Sequence, residues 1–125
     1  MTKILTTLIN EDIDYKYSRI HEQFIIYSSF LRRYVVVPVG FVHDYESVPI
    51  IKGTSKRGGV IHDYLSRIDS EPIVTKKQAA GVYLEIMKHC KTSWWRRRLK
   101  WLAVSIASNY FHKHKVMATI EEMRE

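Results

Sequence analysis

Gln23-Phe24-Ile25-Ile26-Tyr27-Ser28 and Tyr34-Val35-Val36-Val37-Pro38-Val39 flank the short segment Ser29–Arg33. Both runs are rich in β-branched and aromatic residues, which fit the pleated, half-buried surface of a sheet. Their separation suits an antiparallel hairpin connection, although no strong turn dipeptide marks it. Pro38 has no N–H to give a ladder, so the second strand is expected to end, or to lie at an edge, near it. Upstream, Ile13-Asp14-Tyr15-Lys16-Tyr17 alternates as a half-buried strand would. After Gly40 the pattern breaks, and an irregular stretch is expected through Pro49 and on to Gly53.

Beyond that stretch the apolar residues recur every three or four positions. Lys56–Ile68 is the first helix candidate, weakened at its start by Gly58-Gly59 and ended by Asp69-Ser70-Glu71-Pro72. Thr75-x-x-Gln78 has the form of a capping box and opens a second helix through about His89. Ala79, Val82, Tyr83, Ile86 and Met87 are its apolar stripe. Thr92 or Ser93 can cap a third helix carrying Trp95, Leu99, Leu102, Ile106 and Tyr110 on one face, with Met117–Glu125 as an extension or a frayed tail. Strands first and helices after, with no linker between, predict one α+β domain over residues 1–125. Its expected architecture is an N-terminal antiparallel hairpin followed by three helices packed together.

At 125 residues the chain is long enough for a single modest core. An apolar fraction of 46% with 26% charged residues fits a soluble globular protein. The lone Cys90 excludes an internal disulfide and is compatible with a reducing compartment. Met1–Asn10 lacks the apolar core of a signal peptide, and the best apolar runs, Val35–Val42 and Trp101–Ala107, are too short to span a membrane. A cytoplasmic protein is expected. Its net charge of +7 is unevenly spread: Lys76 to Lys115 holds ten Lys/Arg against one acid, Glu85. That third would suit nucleic acid, anionic lipid or an acidic protein, or would simply be a solvated face.

Two near-copies of one hexapeptide stand nineteen residues apart, Val42-His43-Asp44-Tyr45-Glu46-Ser47 and Ile61-His62-Asp63-Tyr64-Leu65-Ser66. His-Asp pairs supply general acid/base groups, tautomer control and metal ligands. His62, Asp44 and His43 are the candidate ligands for a divalent metal, and His62, Asp63, Asp44 and Ser47 the candidate catalytic set. Adjacent helical residues point about 100° apart, so His62 and Asp63 cannot easily face one ion together. The structural alternative packs His62 in the core while Asp63 caps or pairs with an arginine. A Ser47–His62–Asp44 nucleophile lacks the Gly-x-Ser-x-Gly elbow. A metal-dependent phosphohydrolase array lacks a late aspartate, since Asp69 is the last in the chain.

Gly53-Thr54-Ser55-Lys56-Arg57-Gly58-Gly59 fails as a phosphate loop because Gly59 stands where a lysine is needed. In Trp94-Trp95-Arg96-Arg97-Arg98-Leu99-Lys100-Trp101, arginines interleaved with indoles can contact phosphates and stack on bases. Arg96, Arg97, Arg98, Lys100 and Trp94 are the candidate binding residues there, whereas Trp95 continues the apolar stripe and reads as core. His112-Lys113-His114-Lys115 is not expected to bind metal, because the two imidazoles diverge on a helix and the lysines repel cations.

The run Val37-Pro38-Val39-Gly40-Phe41-Val42-His43-Asp44-Tyr45-Glu46-Ser47-Val48-Pro49 resembles the signature of domain of unknown function 1353, a family of small phage and prophage proteins. Gly59–Arg67 resembles its second block and Ala79–Met87 its third, and the resemblance covers about residues 22–110. It implies a phage or prophage origin and a polar cluster linking the loop to the first helix. Three departures stand out: His43 replaces a threonine, Glu46 an alanine, and Ala80 an aspartate. The lost carboxylate points away from a complete catalytic array. The favoured expectation is therefore an accessory or virion-associated protein, in the host cytoplasm or the virion. It would bind a phage structural protein, a host protein or nucleic acid through its basic helical face. The alternative is a small hydrolase, metal-assisted or not, using His62, Asp63 and Asp44.

Overall fold

Six short strands precede the helices in the computed structural model, which describes residues 2–13, 17–43, 56–89 and 114–124. They are β1 (Lys3–Ile4), β2 (Asn10–Asp12), β3 (Ser18–Ile20), β4 (Phe24–Ser28), β5 (Arg33–Val37) and β6 (Val42–His43). The helices are α1 (Lys56–Leu65), α2 (Lys76–His89) and the short α3 (Ile120–Arg124). The described residues are thus mixed α+β, with more strands than expected. The third helix expected after Ser93 lies outside the described residues.

The hairpin expected from the sequence is β4–β5, paired from Phe24↔Val37 to Ser28↔Arg33. Arg32 supplies the left-handed backbone of its turn, with φ of 57°. β1 adds to the other side of β4, giving an antiparallel sheet in the order β1-β4-β5. A second antiparallel sheet has the order β2-β3-β6. Of the strand expected over 13–17, residues 14–16 lie outside the described residues, and neither Ile13 nor Tyr17 belongs to a strand. Asp12 pairs with Ser18, and the Ile13 N–H donates to the Tyr17 carbonyl at 3.0 Å, just past the paired ends of β2 and β3. Tyr17 nevertheless packs inward. The irregular stretch expected after Gly40 also begins later, because Val42 and His43 form β6 against β3.

Pro38-Val39-Gly40-Phe41 moves the chain from the first sheet to the second. The Phe41 N–H reaches the Pro38 carbonyl at 3.3 Å, and Gly40 holds a φ of +90° that L side chains rarely adopt. Gly40 N–H donates to the Ile20 carbonyl, and Ile20 N–H to the Phe41 carbonyl, both at 2.9 Å. The turn is thereby sewn to β3.

The Thr75–Gln78 capping box forms as expected. Thr75 N–H donates to Gln78 Oε1 at 2.9 Å and Gln78 N–H to Thr75 Oγ1 at 3.1 Å. The whole expected stripe of α2 is buried. Its Val82 and Ile86 join Val60, Ile61 and Leu65 of α1 and the inward faces of β4 and β5 in one core. Helix α1 stops at Leu65 rather than Ile68, because the next residues turn to residues 114–116. Ile68 N–H donates to the His114 carbonyl at 2.8 Å, and Asp69 Oδ1 accepts the Val116 N–H at 2.6 Å.

Arg67 closes this arrangement from inside. Its guanidinium is buried and donates to three carbonyls, of Asp63 at 3.3 Å and of Lys115 and Val42 at 3.1 Å each. It also lies 4.9 Å from the centre of the Phe41 ring. One side chain therefore joins α1, β6 and the segment before α3. Removing it strands buried acceptors and opens a cavity, so Arg67→Ala should lower the unfolding free energy by about 3 kcal/mol or more. Arg67→Lys should recover less than half of that, because an ammonium cannot match the planar fork. Urea denaturation checks both, and a loss below about 1 kcal/mol for Arg67→Ala would contradict the assignment.

Candidate functional site

The two hexapeptides occupy different elements. Of the first, Val42 and His43 form β6, while Asp44, Glu46 and Ser47 lie outside the described residues. The second runs along α1 and just past its end. Both histidines are buried, yet each is held by different neighbours.

His43 Nε2 lies 2.8 Å from Asn10 Oδ1, across the second sheet. Its ring stacks on Phe41 with centroids 6.0 Å apart and planes 16° apart. Tyr64 meets the same phenyl ring edge-on at 5.7 Å. Burial lowers the His43 pKa to about 4, assisted by the Arg67 cation and opposed by Asp12. His43 is therefore a neutral, packed group at neutral pH.

His62 sits between α1 and α2, its ring 5.5 Å from that of Tyr83 and steeply inclined at 72°. Burial, with a smaller contribution from the Lys76 cation, lowers its pKa to about 4 as well. Its Nε2 is buried and has no hydrogen-bond partner among the described residues. Asp63 points elsewhere, since consecutive helical residues diverge by about 100°. It is half-buried, and its backbone carbonyl takes the Arg67 bond. Tyr64 and Ser66 serve local structure: the Tyr64 hydroxyl accepts the Glu71 N–H at 3.0 Å, and Ser66 Oγ donates to the His62 carbonyl at 2.6 Å.

Ala80 is fully buried and packs with Tyr83 and Met87. It lies on α2 one turn after Lys76 and three residues before Tyr83, on the helix face that carries both neighbours of His62. A methyl group there offers the imidazole no acceptor. Among the described residues no three His, Cys, Asp or Glu groups converge so as to hold a metal ion. Asp44, the third member of the expected His43, Asp44 and His62 set, lies outside them.

The candidate binding residues Trp94, Arg96, Arg97, Arg98 and Lys100 also lie outside the described residues. Within them, Lys77, Lys88, His89 and Lys115 are exposed. The one acid of this basic third is turned inward: Glu85 Oε2 accepts the Phe30 N–H at 2.9 Å, at the tip of the β4–β5 hairpin. The Phe30 ring lies over Gly81, so close that a Cβ there would meet it at 2.9 Å. Among the described residues no helix is long and apolar enough to cross a membrane.

No local pattern in the sequence marks Arg67, Asn10 or Phe41 as neighbours of these histidines. Their contacts join residues far apart in the chain, and only the apolar flanks Ile61 and Leu65 hinted that His62 faces the core.

The chain belongs to the family described as "Protein of unknown function (DUF1353)", whose family model matches residues 18–104. No curated protein and no solved structure matches it.

The two histidines give stability a defined pH dependence. Unfolded imidazoles titrate near 6.5, whereas the folded ones stay neutral to about 4. Between those values the unfolded chain binds more protons, so stability falls as pH falls and their contribution is flat above about 6.5. Two such groups give a slope of up to about 2.7 kcal/mol per pH unit. Urea midpoints measured across this window check it. Replacing His62 by Leu should halve the histidine-dependent slope, and an unchanged slope would contradict the assignment.

Proposed function

We propose that this protein is a phage- or prophage-encoded accessory or virion-associated protein that acts by binding an anionic partner through its basic C-terminal third. The observation that carries the reading is the burial of both histidines in packed, ring-lined positions. A general base must reach the proton it abstracts, directly or through one water. His62 Nε2 is instead enclosed between two helices. The His-Asp constellation then acts as a joint between elements, and the excess of cations from Lys76 to Lys115 is left as the feature with an outward purpose. Glu85 supports this assignment, because its carboxylate is engaged by the Phe30 N–H while Lys77, Lys88 and Lys115 are exposed among the described residues of that segment.

Binding of a labelled DNA duplex, followed by fluorescence anisotropy, provides the test. Affinity should fall steeply with added salt, and reversing Arg96, Arg97 and Arg98 to Glu should weaken it at least about tenfold. Salt-insensitive binding would argue against an electrostatic contact. Absence of binding to DNA, with salt-sensitive binding to anionic vesicles or to an acidic protein, would redirect the partner class.

A second reading keeps one observation in its favour. A buried imidazole nitrogen with no partner among the described residues is the kind of group that a bound ion or substrate would satisfy. In that reading His62 is a ligand or base, Asp63 orients it and Asp44 contributes a second carboxylate. Isothermal titration with zinc or manganese separates the two. The binding reading expects no stoichiometric uptake and no change of melting temperature on chelation. One equivalent bound, and lost in His62→Ala, would favour the hydrolase.

A further inference from the structure

Among the described residues β5 is the outer strand of its sheet, and the hydrogen-bonding of β4 fixes which of its backbone groups are open. The Ile25 carbonyl accepts the Leu5 N–H at 2.9 Å, and the Ile25 N–H donates to Thr6 Oγ1 at 2.9 Å. Ile25 is therefore turned toward β1. Backbone direction alternates along a strand, so Phe24, Ile26 and Ser28 are turned toward β5 and bond Val37, Val35 and Arg33. Tyr34 and Val36 consequently direct both N–H and C=O to the open edge. Neither has a hydrogen-bond partner on that side among the described residues.

The same two residues expose apolar side chains, Tyr34 at 59% and Val36 at 39%. Tyr34 is braced by Tyr27, edge to face at 5.1 Å. Edge strands are normally guarded by an inward charge, a lysine, a proline or a bulge. Here the guards stand only at the ends, Arg33 at the start and Pro38 just beyond the last residue. The charge of Arg33 is itself balanced by Glu71, 3.8 Å away. The edge is thus apolar between Arg33 and Pro38, and its outward backbone groups at Tyr34 and Val36 have no partner among the described residues, unlike the cationic surface of α2.

We propose that β5 pairs with β5 of a second copy of this chain, antiparallel about Val35, to make a continuous six-stranded sheet across a two-fold axis. In this register Tyr34 faces Val36 of the other copy, and Val36 faces its Tyr34. Each facing pair exchanges two bonds, so every open N–H and C=O of both residues is satisfied. The facing side chains form aromatic–β-branched pairs, a favourable cross-strand combination. Arg33 faces Val37 of the other copy, and the two Arg33 residues stand roughly 13 Å apart along the strands, beyond the screening length at physiological salt. Charge therefore does not oppose this register, whereas the balanced edge offers nothing to select a polyanion.

Sedimentation velocity on the full chain over a wide concentration range tests the proposal. A species of twice the chain mass is expected. Val36→Lys and Tyr34→Glu should each weaken self-association at least about tenfold, by setting like charges near one another across the axis. Circular dichroism should show both variants folded, since both positions are exposed. Mixing the two should restore the dimer, because the introduced carboxylate then faces the introduced ammonium. A single-chain mass at every concentration, a dimer indifferent to both substitutions, or a mixture that stays monomeric would each overturn it.

Discussion

The buried guanidinium of Arg67 is the constraint on which the rest of the arrangement depends. Taking a cation out of water is costly unless hydrogen bonds and a polarisable neighbour replace its hydration. Here three carbonyls and the face of Phe41 do so, and they come from α1, β6 and residues 114–116. Each contact is separated from Arg67 by a different length of chain, so the cation is satisfied only when all three segments are assembled. That condition favours one arrangement over compact alternatives.

The geometry around the two histidines follows from this joint. Phe41 lies between Arg67 and His43, so the side chain that accepts the cation also covers one imidazole. Tyr64 braces the same ring from α1 while its hydroxyl holds the Glu71 backbone. His62, two residues earlier, is pressed against Tyr83 by the packing of α1 on α2. Both imidazoles are therefore kept neutral by their surroundings. The two hexapeptides are set differently where they are described, as Val42 and His43 of the first pair with β3 while the second runs along α1 and just past its end.

Much of this was legible in the sequence, and the rest was not for identifiable reasons. The β4–β5 hairpin announced itself through Val35, Val36 and Val37, and the end of β5 through Pro38. The Thr75–Gln78 box and the Ala79, Val82, Tyr83, Ile86, Met87 stripe located α2 because both signals are local. β1, β2 and β6 span two or three residues each and carry no usable period; they exist because a neighbouring strand pairs with them. Ile13 and Tyr17 belong to an alternating run, yet neither is in a strand, a distinction that depends on the pairing of Asp12 with Ser18. The divergence of His62 and Asp63 was readable from helical geometry, whereas the roles of Asn10 and Arg67 rest on contacts across 33 and 48 positions.

The central claim is that Arg67 fastens the segment before α3 to α1 and β6 as part of one cooperative body. Hydrogen exchange at the Ile68 and Val116 amides tests it most directly, because those bonds flank the guanidinium and belong to no regular element. The account predicts that both amides exchange only through global unfolding, with the same free energy as core amides of α2. Exchange through a low-energy local opening, while the α2 amides remain protected, would contradict it.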